Sequence, residues 1–314
     1  MVYLDFERPI VELEAKLEEF RKQAISRSMD LSGSIAEVRK EIEKKLDEIY
    51  GNLTTYQIVQ VARHIGRPKI VDHVRYLTPD YITLHGDRRF SDDKAMWASM
   101  GSMDGQTVFI IGHVKGRNVK ENIDSNFGQA SPEGYRKAMR VMELAQKYNA
   151  PIITMLDTQG AYPGIGAEER GQAEAIAVNI RDMFGITVPI VTVVIGEGGS
   201  GGALGIGVGD RVLMMKYSMY SVISPEGCAS ILFRDGTRYK ETAEMLKLTA
   251  KDLKGFGLID EIIDEPVGGA HRSPIAAMEF VKKSIKRNLS ELMALDEPIT
   301  DYRYNKYRSL PPTL

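Results

Sequence analysis

The chain has 314 residues, of which 43% are hydrophobic and 27% charged, and its 43 acidic and 41 basic residues leave a formal net charge of −2. That composition belongs to a globular protein and excludes a disordered or fibrous class, while near-neutrality removes any global electrostatic reason to bind nucleic acid or an anionic membrane. The lone cysteine, Cys228, excludes an intrachain disulfide and a CxxC metal site, which fits a reducing compartment. Residues Met1 to Arg8 carry acids early and lack the layout of a signal peptide. The strongest apolar run, Val188 to Ile195, is of strand length, well short of the roughly 20 residues of a membrane span. The cytoplasm is the expected location.

The N-terminal quarter reads as a helical hairpin. Ile10, Leu13, Leu17 and Phe20 recur at helical steps, as do Ile35, Val38, Ile42, Leu46 and Ile49, with Ser34 as a predicted N-cap and Gly51 as the stop. Two such stripes suit packing within the chain or a clamp on another chain. From about Thr107 the pattern changes to strands alternating with helices. Strands are predicted at 108–114, 151–156, 188–195, 211–216 and 220–223. Helices are predicted at 132–149, with Ser131 as N-cap, and near 168–184. Near-continuous apolar strands argue for a mainly parallel sheet covered by helices. From Pro274 the chain is helical again and ends in a proline-rich stub. The expected division is a helical region at 1–80, a core at 81–273 and a helical tail at 274–314.

Two glycine-rich segments follow predicted strands: Asp157 to Gly166, and Gly196-Glu197-Gly198-Gly199-Ser200-Gly201-Gly202-Ala203-Leu204. Without side chains, successive N–H groups are free to point at a negative oxygen, and a helix starting there adds its positive end. The second segment lacks the Lys-Ser/Thr pair of a phosphate loop. It matches G-x-G-x-x-G in letters, but Lys216-Tyr217 stands where a dinucleotide fold has an acidic ribose ligand. It also contains G-x-S-x-G around Ser200, with Asp210 or Asp260 and then His271 in the order of a serine hydrolase. Tight turns made only for close packing are the structural alternative. After the first strand, His113, Lys115 and Arg117 suit either a cationic hold on a carboxylate or phosphate, or a solvated surface.

The run Asp157–Gly166 with Ala167-Glu168-Glu169-Arg170-Gly171-Gln172 resembles D-T-P-G-A-Y-P-G-x-G-A-E-E-R-G-Q of the carboxyltransferase alpha subunits of bacterial acetyl-CoA carboxylase. Gly196–Leu204, Tyr220–Leu232, Asp5–Ile10, Ile111-Gly112-His113, Phe127-Gly128, Pro132–Ala138 and Gly268–Arg272 are similar to further blocks of that family, in order from residue 5 to about 275. One departure stands inside the signature, where Gln159 occupies a proline position. The resemblance implies a crotonase-like α/β fold of repeated β-β-α units. It implies transfer of a carboxyl group from carboxybiotin to acetyl-CoA, giving malonyl-CoA for fatty acid synthesis.

It further implies an α2β2 assembly with a beta subunit that carries the zinc, a separate biotin carboxyl carrier protein, and a separate biotin carboxylase that uses ATP. The active site then lies between the two chains, and no metal is expected in this one. Gly201 and Gly202 are assigned, through their backbone N–H groups, to the ureido oxygen of biotin. Gly160, Tyr162, Gly164 and Gly166 are expected to line the biotin cleft, with Lys115 and Arg117 as further substrate-binding candidates. Ser200 is then a spacer, and Cys228 a small buried apolar residue.

Overall fold

The computed structural model describes residues 2–27 and 30–310. Four helices come first: α1 (Arg8–Arg27), α2 (Ser32–Tyr50), α3 (Thr55–Ala62) and α4 (Ile70–Leu77). The strand-rich part then runs β1 (Ile82–Thr83), β2 (Met96–Met103), β3 (Gln106–His113), α5 (Val119–Asp124), α6 (Pro132–Lys147), β4 (Ile152–Thr158), α7 (Ile165–Glu169), α8 (Gln172–Met183), β5 (Ile190–Gly199) and α9 (Ser200–Leu204). It continues through β6 (Arg211–Met215), β7 (Met219–Ser221), α10 (Pro225–Phe233), α11 (Tyr239–Leu246), α12 (Ala250–Gly255) and β8 (Glu261–Ile263). Two helices close it, α13 (Pro274–Met293) and α14 (Ile299–Arg308).

The strands form one eight-stranded sheet in the order β1-β2-β3-β4-β5-β6-β8, with β7 paired to the end of β5. β1, β2 and β3 are antiparallel and the pairs from β3 onward are parallel. Along the central strands, neighbouring side chains enter opposite cores, because Cβ direction alternates in a strand. Phe109, Ile111, Ile152, Leu156, Ile190 and Val194 face α6, which contributes Ala138, Val141 and Met142. Val108, Ile110, Ile153, Met155, Val191 and Val193 face α4 and α13, which contribute Val74 and Ile285 among others. Both faces are dry, which is why these strands read as unbroken apolar runs. Each such side chain contributes roughly 1.5–3 kcal/mol on burial.

Several boundaries differ from the sequence reading for physical reasons. Ser34 lies inside α2 rather than at its N-cap, which is Leu31, three residues earlier; Asp30 accepts the N–H of Ser32, the first helical residue, at 3.0 Å. Ser131 is at the N-cap of α6 but caps with no side-chain bond. The helix predicted near 168–184 is two helices, α7 and α8, separated at Gly171, which has φ +82°. β5 runs on through Gly199, so the first four residues of the second glycine segment are strand and the remaining five, Ser200–Leu204, are α9, with the corner at Ser200. Pro311 and Pro312 of the C-terminal stub lie outside the described residues.

Candidate active site

The two glycine segments end on adjacent parallel strands, β4 and β5, where Thr158 pairs with Gly198 after a register shift. The turns touch backbone to backbone. A Cβ on Gly199 would sit 2.1 Å from the Gln159 carbonyl oxygen, and one on Gly202 would sit 2.4 Å from the Ala161 nitrogen. No side chain fits either position. Gly201 differs, since its Cβ would meet only the Ile176 side chain, at 3.8 Å. Thr158 sets the first turn: its hydroxyl donates to the Gly160 carbonyl at 2.7 Å and accepts the Gly160 N–H at 3.1 Å.

Ser200 makes the sharp strand-to-helix corner at φ +52°, a region few non-glycine residues occupy. α9 starts there, so the N–H groups of Gly201 and Gly202 belong to a first helical turn and have no partner within the helix. Beneath them, the Gly202 carbonyl accepts from the Tyr135 hydroxyl at 3.3 Å and from His113 Nε2 at 3.2 Å. A carbonyl can only accept, so Nε2 carries the proton; Nδ1 has no partner among the described residues. Burial of the ring pushes His113 down to about 4, so it is neutral at pH 7. Above the corner lies an open cavity of about 450 Å³, walled by both turns, Gln129, Ile176 and residues 222–224.

The structure therefore brings Gly160, Gly201 and Gly202 to one cavity. Tyr162, Gly164 and Gly166 do not join them there. The Tyr162 N–H donates to the Ala130 carbonyl and the Tyr162 carbonyl accepts from Gln172, which ties the segment back to α8. The Tyr162 ring occupies the space beside Gly164, whose Cβ would be 2.4 Å from it, and Gly166 lies against Arg170.

Lys115 is not on a solvated surface. It is mostly buried, with 11% of its side chain exposed and its ammonium 3.1 Å from Asp157 and 3.1 Å from Glu197, one acid at the end of each strand. Burial raises the Asp157 carboxyl, but Lys115 and Lys69 outweigh it and hold it at about 2. Glu197 also takes two bonds from Arg63, which reaches on to Glu226 of α10. This chain of charges, buried at Asp157 and Glu197 and opening to solvent at Glu226, braces the strand ends behind the turns. The sequence reading missed Asp157, Glu197, Arg63 and Lys69 as parts of one site. The available signal was two carboxylates at the ends of apolar strands, which must be paired when buried. Arg117, half exposed, pairs with Asp72 of α4.

No hydrolase triad assembles on Ser200. Asp210 is bound to Arg303 at 2.9 Å, Asp260 accepts the Val212 N–H at 2.6 Å, and His271 lies 3.2 Å from Glu7. The histidines are less scattered than the sequence suggests, since the fold gathers Glu7, His64 and His271 in one buried group. Tyr50 and Arg272 also bond to Glu7 there, and both His64 nitrogens have backbone partners, from the Gly66 N–H and the Val2 carbonyl. These contacts make the group a latch for the N-terminal segment. Cys228 is part-buried in α10. Among the described residues, no helix is long and apolar enough to cross a membrane.

The architecture is shared with known structures. One chain of a Pseudomonas malonate decarboxylase hetero-tetramer in complex with coenzyme A superimposes with a TM-score of 0.59 at 15% identity, over 75% of this chain and 93% of that one. Transcarboxylase 12S, with methylmalonyl-coenzyme A bound, does so with a TM-score of 0.54 at 20% identity over 70% of this chain, which spans 43% of the transcarboxylase chain. These likenesses define the class of fold, a crotonase-like α/β fold. Residues 3–311 match the family model for acetyl co-enzyme A carboxylase carboxyltransferase-like proteins. Acetyl-coenzyme A carboxylase carboxyl transferase subunit alpha of Geobacter metallireducens is 52% identical over 308 residues, 98% of this chain and 96% of that relative. The protein of the same description from Synechococcus elongatus is 50% identical over 310 residues, 98% of this chain and 95% of the relative. The chain belongs to the family of acetyl-CoA carboxylase carboxyltransferase alpha subunits, whose role is carboxyl transfer to acetyl-CoA.

Proposed function

We propose that this chain supplies the carboxyl-donor half of a carboxyltransferase site, with the backbone N–H groups of Gly201 and Gly202 stabilising negative charge on the ureido oxygen of biotin. The observation that carries this reading is the backbone-to-backbone seam at Gly199 and Gly202, which admits no side chain and holds a helix start against the cavity. The residues present fit a planar oxygen acceptor: two first-turn amides without a partner in their helix, no competing side chain on Gly201, and a cavity of about 450 Å³ in front of them. Carboxybiotin, brought on a carrier protein, supplies the carboxyl group and the base for the reaction. The chain's own residues orient and polarise. The amides wait where charge develops and need no rearrangement, which is the condition under which such donors are worth roughly 2.7–4 kcal/mol each. Gly160 and the exposed Gln159 form the facing wall. Tyr162, Gly164 and Gly166 are assigned to the rim of the donor's entry route, and Lys115 and Arg117 to the cationic groove beside the cleft.

The wider reading follows the family. The chain works with a beta subunit as α2β2, the zinc resides in that partner, and a biotin carboxylase charges the carrier at the expense of ATP, all in the cytoplasm. The units 1–80, 81–273 and 274–314 are the proposed division of the chain.

The test is a pair of substitutions at Gly201, where a Cβ has room. Gly201→Ala keeps the N–H, whereas Gly201→Pro deletes it at the second helical position, where the N–H has no partner within the helix. In the assembly reconstituted with its beta subunit, Gly201→Pro should lower kcat about 100- to 1,000-fold relative to Gly201→Ala. Equal malonyl-CoA formation by the two, with assembly intact, would contradict the assignment.

A further inference from the structure

Lys69, the N-cap residue of α4, is nearly buried, with its side chain 7% exposed. Its closest carboxylate oxygen, on Asp157, is 3.7 Å away, an ion pair without a hydrogen bond. Among the described residues its ammonium makes no hydrogen bond at all, although it carries three donors. Burial pushes its pKa down, and the pull of Asp157 does not restore it.

Apart from Asp157 Oδ2, which faces Lys69 at 3.7 Å, the carboxylate oxygens nearby are already engaged. Asp157 Oδ1 takes Lys115 and the Glu197 N–H, each at 3.1 Å; Glu197 takes Arg63 and Lys115. The spare donors of Lys69 face space instead. Lys69, Lys115 and Gly116 together line two cavities. The inner one, about 190 Å³, has Arg63, Lys69 and Lys115 in its wall and no carboxylate, and Gln159 joins it to the cleft in front of Gly202. The outer one, about 330 Å³, adds Arg75, Lys94 and Arg117, against Glu121 and Asp124. Both Glu121 oxygens accept local donors, the Arg117 N–H and the Asn118 amide.

We infer that Lys69, flanked by Lys115 and Arg63, forms an oxyanion-binding pocket beside the cleft that takes a single carboxylate or phosphate group. A desolvated ammonium with free donors, in a wall of three cations, is stabilised by such a group through charge-assisted hydrogen bonds. Two parts of the reaction's own chemistry carry it: the carboxylate of the malonyl product and the phosphates of coenzyme A. The pocket rests on the assignment of the neighbouring cleft to this reaction, but its binding is measurable without turnover.

The experiment titrates the full chain with malonate and with inorganic phosphate by calorimetry, for the wild type, Lys69→Gln and Lys69→Arg. Lys69→Gln should weaken the anion bound by wild type about tenfold, with Lys69→Arg retaining most of the affinity. In the reconstituted assembly, a rise in KM for malonyl-CoA alone assigns the pocket to the carboxylate. Equal rises for acetyl-CoA and malonyl-CoA assign it to the phosphates. Amine labelling of the wild type read by mass spectrometry guards against a variant that fails to fold, since either anion at millimolar concentration should protect Lys69. Absence of binding and of protection in wild type, or affinities and KM values unchanged in Lys69→Gln, would overturn the proposal. Loss of transfer in Gly201→Pro with Lys69 still binding anions separates this pocket from the oxyanion role of the turn.

Discussion

His113 Nε2 donates to the carbonyl oxygen of Gly202 at 3.2 Å, so a neutral, fully buried imidazole holds the peptide immediately behind the cleft. Tyr135 donates to the same oxygen from α6, at 3.3 Å. The two side chains fix the plane that follows the Gly202 amide, and each acts on the reaction only through that plane. His113→Phe should therefore lower kcat by about tenfold or more with little change in KM, the loss of one buried hydrogen bond being worth about 1–3 kcal/mol. His113→Gln, which restores a donor, should recover part of kcat. A change confined to KM would show that the ring has a different task.

Ser200 combines a positive φ with an exposed hydroxyl that makes no hydrogen bond among the described residues. Ser200→Gly removes the strain of that conformation, roughly 1–2 kcal/mol, at a smaller cost in chain entropy. Transfer activity within a few-fold of wild type and an unchanged or slightly raised Tm are expected. Complete loss of transfer, or a covalent fluorophosphonate adduct on wild-type Ser200, would mean that the hydroxyl takes part in chemistry.

His73 and His113 give the fold an acid-sensitive window. Burial lowers both from 6.5 to about 4, and neither His73 nitrogen has a partner among the described residues. Below about pH 6.5 the unfolded chain takes up a proton at each position that the native chain refuses until about pH 4. Stability is thus full above this window and falls as the pH drops through it. Urea unfolding should show a loss of about 2 kcal/mol per histidine between pH 7 and pH 5, and His73→Leu should flatten the slope. Glu7 and Asp157, held at about 2, add their own losses only below about pH 4.5.

Arg303 anchors α14. Its guanidinium donates to both Asp210 oxygens at 2.9 Å and to the carbonyls of Met183, Ile186 and Val188, with no exposed surface. Arg303→Ala leaves the buried Asp210 carboxylate with the Ile190 N–H as a backbone partner but without its arginine counter-charge, removes a donor from three carbonyls, and should cost about 3–5 kcal/mol. Chemical denaturation is the check; a loss under 1 kcal/mol would mean that solvent reaches Asp210 once the arginine is gone.

Legibility in the sequence followed the range of the forces involved. β3, β4 and β5 were readable because both faces are buried and the apolar runs are continuous. β2 was not, since Met96–Met103 mixes glycine and serine with its apolar residues, although Asp104-Gly105, at φ +51° and +87°, carried a hairpin signal. α3 and α4 are only eight residues each and take their stability from the sheet they cover. At the site, Gly201 and Gly202 were picked out by glycine density and by family resemblance. The charges behind them depend on pairings such as Arg63 with Glu197, 134 residues apart, which no local pattern encodes.

The central claim is that this chain holds one half of a site completed by a partner. The most direct measurement is malonyl-CoA formation from acetyl-CoA and carboxybiotin by the purified chain, by its beta subunit, and by the two together. Product should appear only with the mixture. Turnover by this chain alone, at a rate comparable to the mixture, would contradict the account.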